Sequence, residues 1–142
     1  MNIRVTSILC LLLAMPLLAQ DSQEVRRARR NNGKDLVWRI PRAALRGVPA
    51  WDPARQEPPL RITAAVRIAQ RKTNARFPSR AIITGIELNA FGEQGALRWY
   101  YFIQTYNQDE ANGPAPPESH GVLVLMNGKI VEPSEERPRD AG

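Results

Sequence analysis

Four carboxylates stand in the middle of the chain, Asp52, Glu57, Glu87 and Glu93. General acid–base chemistry would need two of them to converge with separated pKa values. Their spacing does not force this, because Glu87 projects from a strand pattern on the face opposite Ile86 and Leu88, whereas Glu93 falls in a turn. The single histidine, His120, follows Ser119 at the end of a loop. Adjacent side chains do not make a dyad, since nucleophile, base and orienting group must converge in space, so a solvated loop histidine is expected. One histidine also leaves nothing for a histidine-rich metal site. Gly85, Gly92, Gly95 and Gly113 match no phosphate-cradling spacing ahead of a helix. The expectation is a protein that is not an enzyme, with no catalytic, cofactor-binding or metal-ligating residues.

Cationic side chains are the more suggestive set. Residues 26–80 carry fifteen Arg or Lys against three acids, Asp35, Asp52 and Glu57, while residues 81–142 carry four against nine. Such asymmetry bears on partners rather than on fold. Arg26, Arg27, Arg29 and Arg30 cluster near the N-terminus, and Arg67, Arg71 and Lys72 share one side of a helical pattern. Together they could contact a polyanion or an anionic surface. Nucleic acid is disfavoured, because no aromatic residues interleave with the cations in the way that single-strand binders require.

The first nineteen residues point to export. Arg4 precedes an apolar run from Val5 to Leu18, Pro16 interrupts it and Ala19 is small, the order of a cleavable signal peptide. The run is shorter than the ~20 residues that span a bilayer, and no later segment is apolar enough, so no transmembrane span is expected after cleavage. Cleavage removes Cys10, the only cysteine, and with it any disulfide or thiol chemistry. A periplasmic or extracellular location follows.

The elements that must position these residues read as follows. Residues 20–35 are polar and charged without apolar periodicity, which suits a flexible basic arm. Residues 36–59 begin with a short strand at Leu36–Ile40 and continue with Pro49, Pro53, Pro58 and Pro59 around Trp51, an extended segment expected to wrap the domain. Residues 60–132 form the domain proper. Its helix spans Arg61–Arg76, with Ile62, Ala65, Val66, Ala69 and Thr73 on one face. Strands follow at Ala81–Phe91, Leu97–Tyr106 and Gly121–Met126, and Asn127-Gly128 is a type I′ turn leading to a last short strand. Residues 133–142 read as a disordered tail. The fold class is α+β, one amphipathic helix packed on a three- to four-stranded antiparallel sheet. Trp99 is placed in the core, where truncation to alanine should cost about 3–5 kcal/mol.

The helix with Ala65 and Ala69 one turn apart, the aromatic strand Trp99-Tyr100-Tyr101-Phe102 and the closing MNGKIVEP hairpin resemble a PepSY-like domain of the cystatin-like group. The resemblance covers about half the chain, and the whole is also similar to small exported bacterial proteins. It implies the α+β fold and a role in inhibiting, chaperoning or modulating secreted or envelope proteins. The expected function is therefore exported protein binding, through the sheet face carrying Tyr100 and Phe102 or through an open edge. Either that face is open to a partner or the segment from Leu36 to Trp51 folds over it, and Trp38 and Trp51 favour the second arrangement. Polyanion binding through the basic arm and the helix arginines is the alternative. No cofactor is expected.

Overall fold

The structure, a computed structural model, describes residues 22–77, 81–92, 97–108, 113–114 and 119–138. The segment read as a signal peptide, the turn after Gly92 and most of the loop before His120 lie outside these residues. Seven strands and two helices follow in the order β1 (Ser22–Arg29), β2 (Asp35–Pro41), α1 (Arg42–Leu45), α2 (Ile62–Arg76), β3 (Ala81–Phe91), β4 (Arg98–Asn107), β5 (His120–Leu125), β6 (Ile130–Val131) and β7 (Pro133–Glu136). They make an α+β fold with two antiparallel sheets, ordered β3-β4-β5-β6 and β1-β2-β7.

α2 forms where the sequence lacks Gly and Pro. It begins without a side-chain cap at Arg61 and stops at Phe77, whose extended backbone is the conformation that a following proline imposes. Its buried positions are Ala65, Ala69 and Thr73. Small side chains let the helix lie close over β4 and β5. Thr73 Oγ1 donates to the Ala69 carbonyl at 3.0 Å and lies 3.3 Å from Thr105 Oγ1 on β4. Ile62, expected on this buried face, is instead 47% exposed, because the helix start overhangs the sheet.

The strands β4 and β5 are covered on both faces. Tyr101, Ile103, Val122 and Val124 face α2, and their neighbours Tyr100, Phe102, Leu123 and Leu125 face the three-stranded sheet. This is why β4 and β5 read as continuous apolar runs rather than alternating ones. Trp38 of β2 packs edge-to-face on Phe102, with ring centroids 5.2 Å apart, and is 1% exposed. Tyr100 Oη donates to the Val25 carbonyl of β1 at 3.4 Å. The layers are thus helix, four-stranded sheet and three-stranded sheet. The chain passes between the two sheets at Glu132, where β6 ends and β7 begins.

Two expectations fail here. The segment read as a flexible arm is β1, and the start of the segment read as a disordered tail is β7. Neither carries apolar alternation, and their order comes from charge. On the outer face of the three-stranded sheet Arg27 bonds Glu24, Asp35 and Glu136, and Arg39 bonds Glu24 and Glu136. Val37, the cross-strand neighbour of Arg27, is fully buried. The β1–β2 turn has its own signal: Gly33 adopts φ 78°, Arg30 N donates to the Lys34 carbonyl at 2.8 Å, and Lys34 N to Asn32 Oδ1 at 3.0 Å. Asn32-Gly33 is the same hairpin dipeptide as Asn127-Gly128.

The ladder makes β7 sensitive to acid. The Arg39 guanidinium, with Arg27 beside it, holds the Glu136 carboxyl at about 2, against an ordinary 4.5, and Lys34 and Arg30 lower Glu135 in the same direction. A carboxyl depressed by folding stabilises the native state fully above its unfolded pKa and loses that contribution as pH falls through the folded value. Amide exchange in β7 is therefore expected to accelerate relative to β4 as pH drops from about 4.5 toward about 2, and Glu136→Gln should remove most of this dependence.

Candidate functional site

The residues singled out from the sequence separate into three groups. Arg26 is bidentate to Glu87 at 2.6 and 3.1 Å and stacks 3.7 Å above the Phe102 ring. Arg27 joins the ladder described above, Arg29 bonds Asp35 at 2.7 Å and Arg30 bonds Glu135 at 2.8 Å. The four arm arginines therefore serve as structural cross-links within and between the sheets, not as a loose anion-seeking arm. Lys72 is paired with Glu132. Arg67 and Arg71 are exposed and have no carboxylate partner among the described residues.

Tyr100 and Phe102 are 4% and 3% exposed, sealed under β1 and β2, so they belong to the core and not to a contact face. Burial pushes the Tyr100 hydroxyl above its ordinary pKa. Trp38 covers this face as the sequence suggested, but Trp51 does not. It lies on the helix side, with its ring 5.4 Å from that of Trp99.

The carboxylates stand apart from one another. Asp52 pairs with Arg55, Glu57 with Arg61 and Glu87 with Arg26, whose guanidinium holds the Glu87 carboxyl below its ordinary pKa. Glu93 lies outside the described residues. His120 is not a solvated loop residue, since its ring lies 4.6 Å from Phe77 at the start of β5.

What the sequence did not single out is the margin of the four-stranded sheet beside α2. β3 pairs with β4 on one side only, and among the described residues no strand pairs with its other side. Ile86 and Leu88 project from β3 toward the helix layer; α2 reaches the start of β3, where Ala81 N donates to Asn74 Oδ1 at 3.0 Å, but leaves these two 40% and 42% exposed. Ile62, at the overhanging start of α2, faces the same space. These are three of the four large hydrophobic side chains left exposed among the described residues, and all three line one groove of about 710 Å³.

The segment before α2 builds the far wall. Trp51 Nε1 donates to the Gln56 carbonyl at 2.9 Å, Trp99 Nε1 to the Trp51 carbonyl at 3.0 Å and Tyr101 Oη to the Leu60 carbonyl at 3.1 Å. These bonds hold Trp51 and Pro58 against the sheet, while Glu57 and Arg61 form an exposed pair 3.9 Å apart at the rim. Such a pair contributes little energy, so the groove is largely apolar with one ion pair at its rim.

Its chemistry is recognition. An open strand edge offers backbone donors and acceptors in register, and apolar side chains beside it accept every second residue of an added strand. The sequence signal was the alternation Ile86, Leu88, Ala90, which assigns the helix-side face of β3. A bulge between Ile83 and Gly85 turns Ile82, expected on the same face, to the other one, and whether a helix covers the face depends on where α2 lands. No helix among the described residues is long and apolar enough to cross a membrane. No protein-family model matches the chain, and no curated protein or solved structure matches it significantly.

Proposed function

We propose that this chain is an exported, non-enzymatic binding module that takes an extended segment of another envelope or secreted protein onto the free edge of β3. The observation that carries this reading is the convergence of Ile62, Ile86 and Leu88, each 40–47% exposed, beside an unpaired edge strand of eleven residues. Edge strands in soluble proteins are usually guarded by Lys, Pro or an inward charge. β3 has no Lys or Pro, and its single charge, Glu87, is held by Arg26 and by Gln104 Nε2 at 2.9 Å. An added strand meets no charge there and gains both ladder hydrogen bonds and an apolar groove. Its side chains at alternate positions should be aliphatic or aromatic, to pack against Ile86, Leu88 and Tyr101.

Export rests on the order of Arg4, the run Val5–Leu18 and Ala19. The resemblance to PepSY-like domains agrees with a helix over a four-stranded antiparallel sheet and with a modulatory role toward secreted proteins. The three-stranded sheet is an addition to that pattern.

A displayed library of random twelve-residue peptides supplies the test. Enriched peptides are expected to alternate apolar and polar residues and to slow amide exchange across residues 81–91. Leu88→Lys should weaken their binding about tenfold or more while leaving the fold intact, since Leu88 is already partly in water. Binding that ignores this substitution would overturn the proposal. A concentration-dependent dimer lost in Leu88→Lys would give the edge to a second copy of the chain instead.

A further inference from the structure

Charge is segregated in this molecule. Each of the eight Asp and Glu residues among the described ones is ion-paired, most of them within or beside the three-stranded sheet. The cations left without a carboxylate lie chiefly elsewhere. Arg46 follows α1, Arg67 and Arg71 stand on α2, and Lys129 follows the β5–β6 turn; all four are exposed.

That turn joins the two helices. Asn127 Nδ2 donates to the Gly47 carbonyl at 2.9 Å, and a Cβ on Gly128 would stand 3.6 Å from Ile68 Cδ1 of α2. Arg46 adjoins Gly47, Lys129 adjoins Gly128, and Arg67 and Arg71 lie one and three residues from Ile68. The four cations therefore flank one junction along the chain. α2 itself contains no Asp or Glu, so nothing on the helix offsets them.

We infer that this helical face docks on an anionic lipid surface. Shape decides between the polyanions that such a charge could meet. A linear polymer or a small anion is held in a groove or pocket, yet Arg46, Arg67, Arg71 and Lys129 line none of three well-formed clefts among the described residues. A broad cationic face without a cleft complements a planar anionic one, where each cation near the surface adds to the attraction. The face is distinct from the β3 groove, so the two can be occupied together and fail independently.

Cosedimentation with vesicles of about three parts phosphatidylcholine to one part phosphatidylglycerol tests the inference. Binding is expected to vanish on pure phosphatidylcholine and to fall steeply as salt rises from about 0.05 to about 0.5 M. At about fivefold per cation, the variant Arg46→Ser, Arg67→Ser, Arg71→Ser, Lys129→Ser should lose about a hundredfold or more in affinity. These side chains make no ion pair, so the fold should survive, and near-UV circular dichroism checks this. Arg29→Ser with Arg30→Ser, in the paired set, should change affinity less than about threefold. Binding to neutral vesicles, or loss through the Arg29 and Arg30 pair alone, would overturn the inference. Retention on dextran sulfate without binding to anionic vesicles would overturn it in favour of a soluble polyanion.

Discussion

Gly121→Ala is expected to lower stability by about 2–3 kcal/mol, near the upper end for an overpacked core site. A Cβ at this position would stand 2.1 Å from Phe102 Cζ and 2.7 Å from Cε2. The ring has nowhere to go, since Trp38 packs against it and the Arg26 guanidinium covers it at 3.7 Å, itself fixed by Glu87. Glycine at 121 is thus required by the close approach of an aromatic ring and not by a backbone angle. The diagnostic measurement is a double-mutant cycle in urea. Shortening the ring with Phe102→Leu should cost stability alone, yet the pair with Gly121→Ala should cost clearly less than the sum. Additive penalties would mean that Phe102 does not lie over Gly121.

Trp38→Ala should be the most damaging substitution, at about 3–5 kcal/mol, a large part of what a domain of this size has in total. Trp38 is the largest fully buried side chain and fills the space between the two sheets, where it meets Phe102. The measurement is the urea midpoint, read by circular dichroism because the substitution removes a fluorophore. Trp99→Ala, expected from the sequence to be a core substitution, should cost less, about 1–2 kcal/mol. Trp99 is only partly buried, at the margin of the helix side, and its indole N–H bonds a carbonyl of an exposed segment. Equal penalties for the two tryptophans would show that the sheets do not close over Trp38.

The acid dependence of β7 and the core substitutions probe opposite faces of one sheet. Inside, the three-stranded sheet is held by Trp38 and Ile40. Outside, a lattice of Arg27, Arg39, Glu24 and Glu136 holds it. Acid should release the outer contribution and, on the inner side, only the Arg26–Glu87 pair, whose carboxyl is also held below its ordinary pKa; the apolar contacts of Trp38 and Ile40 do not titrate. The two kinds of contribution are therefore separable by pH, and this distinguishes an ion-pair ladder from a surface decoration.

Part of this protein was legible in its residues. Ile62–Arg76 is helical because nothing in it breaks a helix and Pro78 ends it. β3, β4 and β5 follow from apolar alternation and apolar runs, and Asn127-Gly128 from turn chemistry. Ala65 and Ala69 announce a helix lying close on a sheet. The order of the first twenty residues is likewise a property of sequence alone, and it carries the proposal of export.

The rest depended on which charges and faces meet in space. No apolar alternation marks Ser22–Arg29 or Pro133–Glu136 as strands, and only the Asn32-Gly33 turn hints at the first. Glu24 and Asp35 meet Arg27, Arg29 and Arg39 within the β1–β2 hairpin, whereas Glu136 becomes a partner of Arg27 and Arg39 only when segments about a hundred residues apart are brought side by side. The same approach turned the four arm arginines from a free cationic segment into cross-links. It also left Arg67 and Arg71 without a carboxylate partner among the described residues, which a count of charges along the chain cannot reveal. The alternation in β3 likewise assigns Ile86 and Leu88 to one face, but a helix of fixed width covers only part of a sheet. Where α2 came to rest, over β4 and β5, is what left that face of β3 open.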